Sequence, residues 1–189
     1  VKESNVKKSP RAPFITSTLQ QAASSRLGFA PSRTMGIAQK LYEEGHITYM
    51  RTDSTNLSKV AIEQIAQIVE KKYGKEYLQI RTYTTKSKNA QEAHEAIRPT
   101  HIENDPSSIK LDGDDLRLYK LIWERTVASQ MQAAKVQTTT YTFVPKDLDQ
   151  KWQTKGQVIL FDGFLKLYEE GTDDEEEKEG EVTLPMIAK

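Results

Sequence analysis

Apolar positions recur at helical spacing in four stretches of the chain. Leu19, Ala22, Ala23 and Leu27 share one face between Thr16 and Leu27, and Gly28 stands where a helix commonly ends, so the spacing predicts a helix over 16–27. Met35, Ile37, Ala38, Leu41 and Tyr42 form a second stripe, with Ser32 expected as its cap and Gly45 as its stop. Ile62, Ile65, Ala66, Val69 and Tyr73 follow the capping hydroxyl of Ser58 and run to Gly74. Leu118, Leu121, Ile122 and Val127, mixed with Tyr119 and Trp123, predict a long buried helix over 114–131.

Between these stretches the pattern changes. His46 to Asp53 is rich in strand formers and bounded by Gly45 and Ser54, which predicts a strand; helix, helix, strand is the order of a winged-helix unit. Residues 77–89 are polar and aperiodic and predict a loop. Gln91 to Ile97 has room for one or two helical turns, ended by Arg98-Pro99 because the residue before proline is pushed out of the α region. From about Ala133 the chain turns β-rich, over Val136–Val144, Trp152–Leu160 and Phe161–Tyr168, with a further strand expected over Val182–Ile187. The expected architecture is α+β and multidomain. A basic lead-in over 1–11 precedes a mainly helical, winged-helix-like unit over 12–132, and a β-rich segment over 133–189 carries an acidic loop at 172–181. Val1 in place of an initiator Met reads as a piece of a longer protein.

Composition refines this picture. Only 37% of the 189 residues are hydrophobic and the mean hydropathy is −0.67, so the core is modest or split. No apolar run is long enough to span a bilayer, and there is no Cys for a disulfide or a thiolate metal site, which fits a reducing, cytoplasmic setting. The net charge of zero is uneven: residues 1–100 hold 16 basic and 9 acidic groups, the remainder 11 and 18. The first half is the candidate polyanion surface.

Alternation along the expected strand puts Tyr49, Arg51 and Asp53 on one face. Phenols titrate near 10 and are weak nucleophiles at neutral pH, so a tyrosine that attacks phosphorus needs a cation to offset the charge of the transition state, and a guanidinium supplies one. His94 lies between Glu92 and Glu95, and flanking carboxylates favour the charged, phosphate-donating form of an imidazole. Position 98 is Arg, which excludes an H-E-x-x-H zinc site, and no nucleotide-binding glycine loop or G-x-S-x-G is present. The pairs Asp112/Asp114 and Asp147/Asp149 read as turn and helix-start residues. The tract Asp173–Glu181 has the composition of a solvated loop.

Three segments together resemble one family. Gly45-His46-Ile47-Thr48-Tyr49-Met50-Arg51-Thr52-Asp53-Ser54 is similar to the active-site tyrosine motif of type IA DNA topoisomerases, and Met50 at its position resembles the bacterial branch, where another branch usually has Pro. Ala12-Pro13-Phe14-Ile15-Thr16-Ser17-Thr18-Leu19-Gln20-Gln21-Ala22-Ala23 and Ala93-His94-Glu95-Ala96-Ile97-Arg98-Pro99-Thr100 agree in order and spacing. The resemblance implies that Tyr49 attacks a DNA phosphodiester in a single-stranded segment of negatively supercoiled DNA and forms a 5′-phosphotyrosine intermediate. It further implies that Arg51 stabilises the tyrosine oxygen and the scissile phosphate and that His94 holds a nearby phosphate, with Thr52, Asp53 and Arg98 in support. It places the Mg2+ site in a separate TOPRIM domain of the same polypeptide, with no metal ligands here. The chain would then be the helical tyrosine domain with the returning part of a β arch whose outgoing strands precede Val1, and would be inactive alone. A non-catalytic winged-helix DNA-binding module is the alternative that the basic first half and the element order leave open.

Overall fold

The computed structural model describes residues 1–83, 94–144 and 152–168. Its elements are strand β1 (Lys2–Lys8), helices α1 (Thr16–Leu27), α2 (Pro31–Glu43), α3 (Lys59–Lys72) and α4 (Gly113–Ser129), and strands β2 (Ala134–Phe143) and β3 (Trp152–Phe161). Short 3-10 turns cover Lys75–Tyr77 and Gly163–Lys166. The fold is α+β, as expected, with the helices gathered on one core and a small antiparallel sheet leading away from it.

All four helices lie within a few residues of their expected positions. α1 ends at Gly28, whose φ of 71° is left-handed and open to glycine at little cost; its N–H returns to the Ser24 carbonyl and that of Phe29 to Ala23. α2 starts differently from the expectation. Ala30 and not Ser32 is its N-cap, because Pro31 takes the first helical position with its fixed φ and missing N–H, and the Thr34 N–H and hydroxyl both donate to the Ala30 carbonyl. Ser58 caps α3 as expected, accepting from the Ala61 N–H. Asp112 is the N-cap of α4, and Asp114 in its first turn is paired to Arg33 of α2 and to Arg117, so this acidic pair is a helix start. Asp147 and Asp149, the acidic tract and the Val182–Ile187 strand lie outside the described residues.

α4 is the hub. Leu118, Ile122 and Val127 are fully buried against Leu19 and Ala23 of α1 and Ala38 and Leu41 of α2 within one cluster. Arg125, 5% exposed, donates to the Ala12 carbonyl at 2.7 Å and lies over the Phe14 and Tyr168 rings, tying the segment before α1 to the hub. Lys72 at the end of α3 pairs with Asp105, which also accepts from the N–H and hydroxyl of Ser107. Burial alone would raise the Asp105 pKa, but these bonds outweigh it and hold it at about 2. The folded value lies below the ordinary 3.8, so the stabilisation is present above pH 4 and is lost as pH falls through 2. Urea unfolding is expected to show the wild type more stable than Asp105→Asn by about 1 kcal/mol at neutral pH, screening by solvent at this partly exposed pair having reduced the gain, and the gap closes as pH falls through 2.

The sheet order is β1-β2-β3, with Lys2 opposite Thr140, Lys8 opposite Ala134 and Phe143 opposite Trp152. The basic lead-in expected over 1–11 therefore contains a strand, paired antiparallel with β2. Its sequence shows almost no apolar face, and six of its seven residues are exposed, so only pairing with β2 defines it. Leu160 is an extra residue between the Lys135–Phe161 and Val136–Ile159 pairs, a bulge near the end of β3. Beyond it the expected third β run over 161–168 is instead a 3-10 turn with Phe164 and Tyr168 buried. Gly163 (φ 52°) starts this turn where a Cβ would stand 2.5 Å from the Gln132 carbonyl oxygen.

Candidate active site

The strand expected over 46–53 is not formed. Ile47 makes an isolated bridge to Pro99, and the residues beyond it have no ladder. Alternation nonetheless survives: Tyr49, Arg51 and Asp53 are exposed, while Met50, Thr52 and Ser54 are buried. The segment is extended because two neighbouring segments satisfy its backbone in place of a sheet. On one side Thr16 of α1 donates its N–H to the Thr52 carbonyl at 3.0 Å, its hydroxyl reaches the carbonyls of Met50 (2.8 Å) and Thr52 (3.1 Å), and the Thr52 N–H donates back to that hydroxyl at 3.0 Å. On the other side Thr48 exchanges bonds with residues 96–98. Its N–H donates to the Arg98 carbonyl, its hydroxyl to the Ala96 carbonyl at 2.7 Å, and it accepts from the Arg98 N–H.

These contacts bring the three motif-bearing segments side by side. The Ile97 N–H donates to the Phe14 carbonyl and the Thr100 N–H to the His46 carbonyl, so 14–16, 46–54 and 94–100 form one laced unit. The helical turns expected over 91–97 are absent from the described part, 94–97, whose backbone bonds go to Asn56 and Phe14 instead. Glu92 lies outside the described residues.

A groove runs over this unit. One hollow is lined by Thr48, Tyr49, Thr52, His94 and Glu95. The next, about 630 Å³, is lined by Ile15, Thr16, Ser17, Gln20, Arg51, Thr52, Asp53 and His94. Thr52 and His94 border both, so five of the six residues singled out in the sequence line one continuous depression of nucleotide size. Tyr49 is 46% exposed, and its ring meets Tyr42 edge-on at 5.2 Å. Among the described residues its hydroxyl has no hydrogen-bond partner and Arg51 has no ion pair, so both are available to an incoming anion.

Arg98 is placed differently. Its guanidinium is engaged by Glu95 at 2.7 Å and by the Pro99 carbonyl at 2.9 Å, and Glu95 also accepts from the Ser58 N–H at the start of α3. Partial burial alone would raise the Glu95 pKa, but the bonds from Arg98 and Ser58 outweigh it and hold the carboxyl below its ordinary value. Glu95 is thus ionised at neutral pH, with its two oxygens engaged by the Arg98 guanidinium and the Ser58 N–H. Thr16 and Thr48 were given no role from sequence, because nothing local signals that their hydroxyls bond backbone groups 34 to 50 residues away.

Among the described residues no three His, Cys, Asp or Glu side chains stand together as metal ligands. No helix among them is long and apolar enough to cross a membrane.

A family model described as DNA topoisomerase matches residues 1–189. The chain is 44% identical to DNA topoisomerase 1 of Rickettsia prowazekii over 98% of its length, and 50% identical to that of Streptomyces coelicolor over 96%. It spans 26% and 20% of those two proteins, respectively. It also superposes on full-length topoisomerase I from Thermotoga maritima with a TM-score of 0.78 at 38% identity, covering 95% of this chain and 30% of that one. With the whole chain matched by the family model and its tyrosine, arginine and histidine gathered on one groove, the chain belongs to the DNA topoisomerase family, alongside the bacterial topoisomerase I proteins.

Proposed function

We propose that this chain carries the nucleophile of a type IA strand-passage reaction and that Tyr49 is that nucleophile. The observation that carries the reading is an exposed phenol whose hydroxyl has no hydrogen-bond partner among the described residues, beside a groove whose walls hold Arg51 and His94. The Tyr49 oxygen attacks a DNA phosphorus, the bond from phosphorus to the 3′-oxygen breaks, and the phenolic proton ends on that oxygen. The products are a 5′-phosphotyrosine and a 3′-hydroxyl. One phosphodiester replaces another, so the step is reversible without ATP, and the reverse reaction reseals the strand after another has passed. Arg51 offsets the charge that builds on the phosphoryl oxygens, and His94 donates to a phosphate in the same groove. Thr52, buried in its floor, and exposed Asp53 shape the same wall, while Arg98 supports it indirectly through Glu95.

The substrate in this reading is a single-stranded segment of negatively supercoiled DNA in the bacterial cytoplasm. Magnesium, held by a TOPRIM domain elsewhere in the polypeptide, would supply the Lewis-acid and phosphate-neutralising chemistry that these residues lack. The isolated chain is accordingly expected to leave a negatively supercoiled plasmid unrelaxed in magnesium; relaxation by it alone would overturn this division of labour.

The assignment of the nucleophile is tested by trapping the adduct of the full-length protein with end-labelled single-stranded DNA and digesting it with trypsin. Cleavage after Lys40 and Arg51 gives a peptide that contains both Tyr42 and Tyr49. Fragmentation must place the nucleotide on Tyr49; a nucleotide on Tyr42 would overturn the assignment.

A further inference from the structure

We propose that Thr16 is a positioning residue for strand cleavage, acting through the backbone on both sides of Arg51; this rests on the roles given above to Tyr49 and Arg51. Thr16 is half-buried in the first turn of α1 and lies in the wall of the groove. A hydroxyl has one proton and two lone pairs. Here it accepts from the Thr52 N–H at 3.0 Å and points its proton between the carbonyls of Met50 (2.8 Å) and Thr52 (3.1 Å). The Met50 carbonyl and the Thr52 N–H belong to the two peptide planes that flank the Arg51 Cα. One oxygen therefore fixes both planes, and with them the direction in which the Arg51 side chain leaves the backbone.

Nothing else among the described residues does this. Past the Ile47–Pro99 bridge the segment has no strand partner, and Thr48 binds only upstream of Tyr49. Arg51 itself is exposed and without an ion pair among the described residues, so its aim depends on its backbone. A guanidinium that must meet a phosphate as charge develops loses much of its effect when displaced by about 1 Å, on the order of 100-fold in rate.

The test uses the full-length protein and single-turnover cleavage of an end-labelled single-stranded oligonucleotide in magnesium, with Tyr49→Phe as the blank. Thr16→Val keeps the branched shape and removes the hydroxyl; Thr16→Ala repeats the deletion with a residue that any helix start accepts. Both are expected to slow cleavage by about 10- to 100-fold with oligonucleotide affinity near wild type and with the protein, though lower in unfolding midpoint, still fully folded at the assay temperature. Thr16→Ser is expected to recover most of the rate. In an Arg51→Ala background, Thr16→Val is expected to cost less than about twofold more, because the group it aims is gone. Wild-type rates in the two deletion variants, or the same slowing with and without Arg51, would overturn the proposal. An adduct in Tyr49→Phe would instead overturn the reading of the site, and the role of Thr16 with it.

Discussion

Tyr49→Phe in the full-length protein is expected to bind single-stranded DNA as the wild type does and to form no covalent adduct, a fall on the order of 10⁴-fold or more, the scale on which loss of a nucleophile acts. The structure makes this substitution unusually clean. The Tyr49 hydroxyl has no partner among the described residues, so its removal breaks no internal hydrogen bond, and the ring keeps its edge contact with Tyr42. Unfolding should move by less than about 0.5 kcal/mol. A non-catalytic DNA-binding module predicts the same binding but no adduct in the wild type either, so gel-resolved adduct formation by the two proteins separates the readings. An adduct that persists in the variant would remove Tyr49 from the reaction.

The largest effect on stability is expected at Trp123. Its side chain is 2% exposed on α4, its indole N–H donates to the Ile102 carbonyl at 2.8 Å, and the Lys72 ammonium lies 5.2 Å from the ring centre. Trp123→Ala opens a large cavity, strands a buried carbonyl and releases the loop that follows the 94–100 segment. A loss of about 3–5 kcal/mol is expected, a large share of the 5–15 kcal/mol that typical domains possess. Trp123→Phe keeps most of the packing and loses the hydrogen bond, so its cost should fall nearer 1–3 kcal/mol. Equal losses in the two variants, measured by urea unfolding, would show that the hydrogen bond and not the cavity dominates.

Helices were legible because their signals are local. Gly28 and Ser58 mark ends through their own backbone geometry, and the apolar stripe of α4 needs no knowledge of its neighbours. The error at Ser32 is also local, since Pro31 competes for the same helix start. Strands were less legible because pairing is not local. Lys2–Lys8 looks like a charged leader until β2 lies beside it, and His46–Asp53 has strand composition and strand alternation but no partner. At the site, Tyr49, Arg51 and His94 were visible as chemistry, and the groove brings them together. The hydroxyls of Thr16 and Thr48, which build the groove, have no sequence signature, and Arg98 looks like a phosphate ligand until Glu95 is seen to engage it.

The lacing of the groove also bears on when it can form. Its hydrogen bonds join residues 36 and 48 positions apart, Thr16 to Thr52 and Thr48 to Ala96, so each closes a long loop for little immediate gain. Such bonds become favourable only after α1, α2 and α4 have docked and brought the ends near one another. Destabilising the lacing should then hasten unfolding and leave the refolding rate almost unchanged, which makes the groove the last part of the chain to assemble and the first to open.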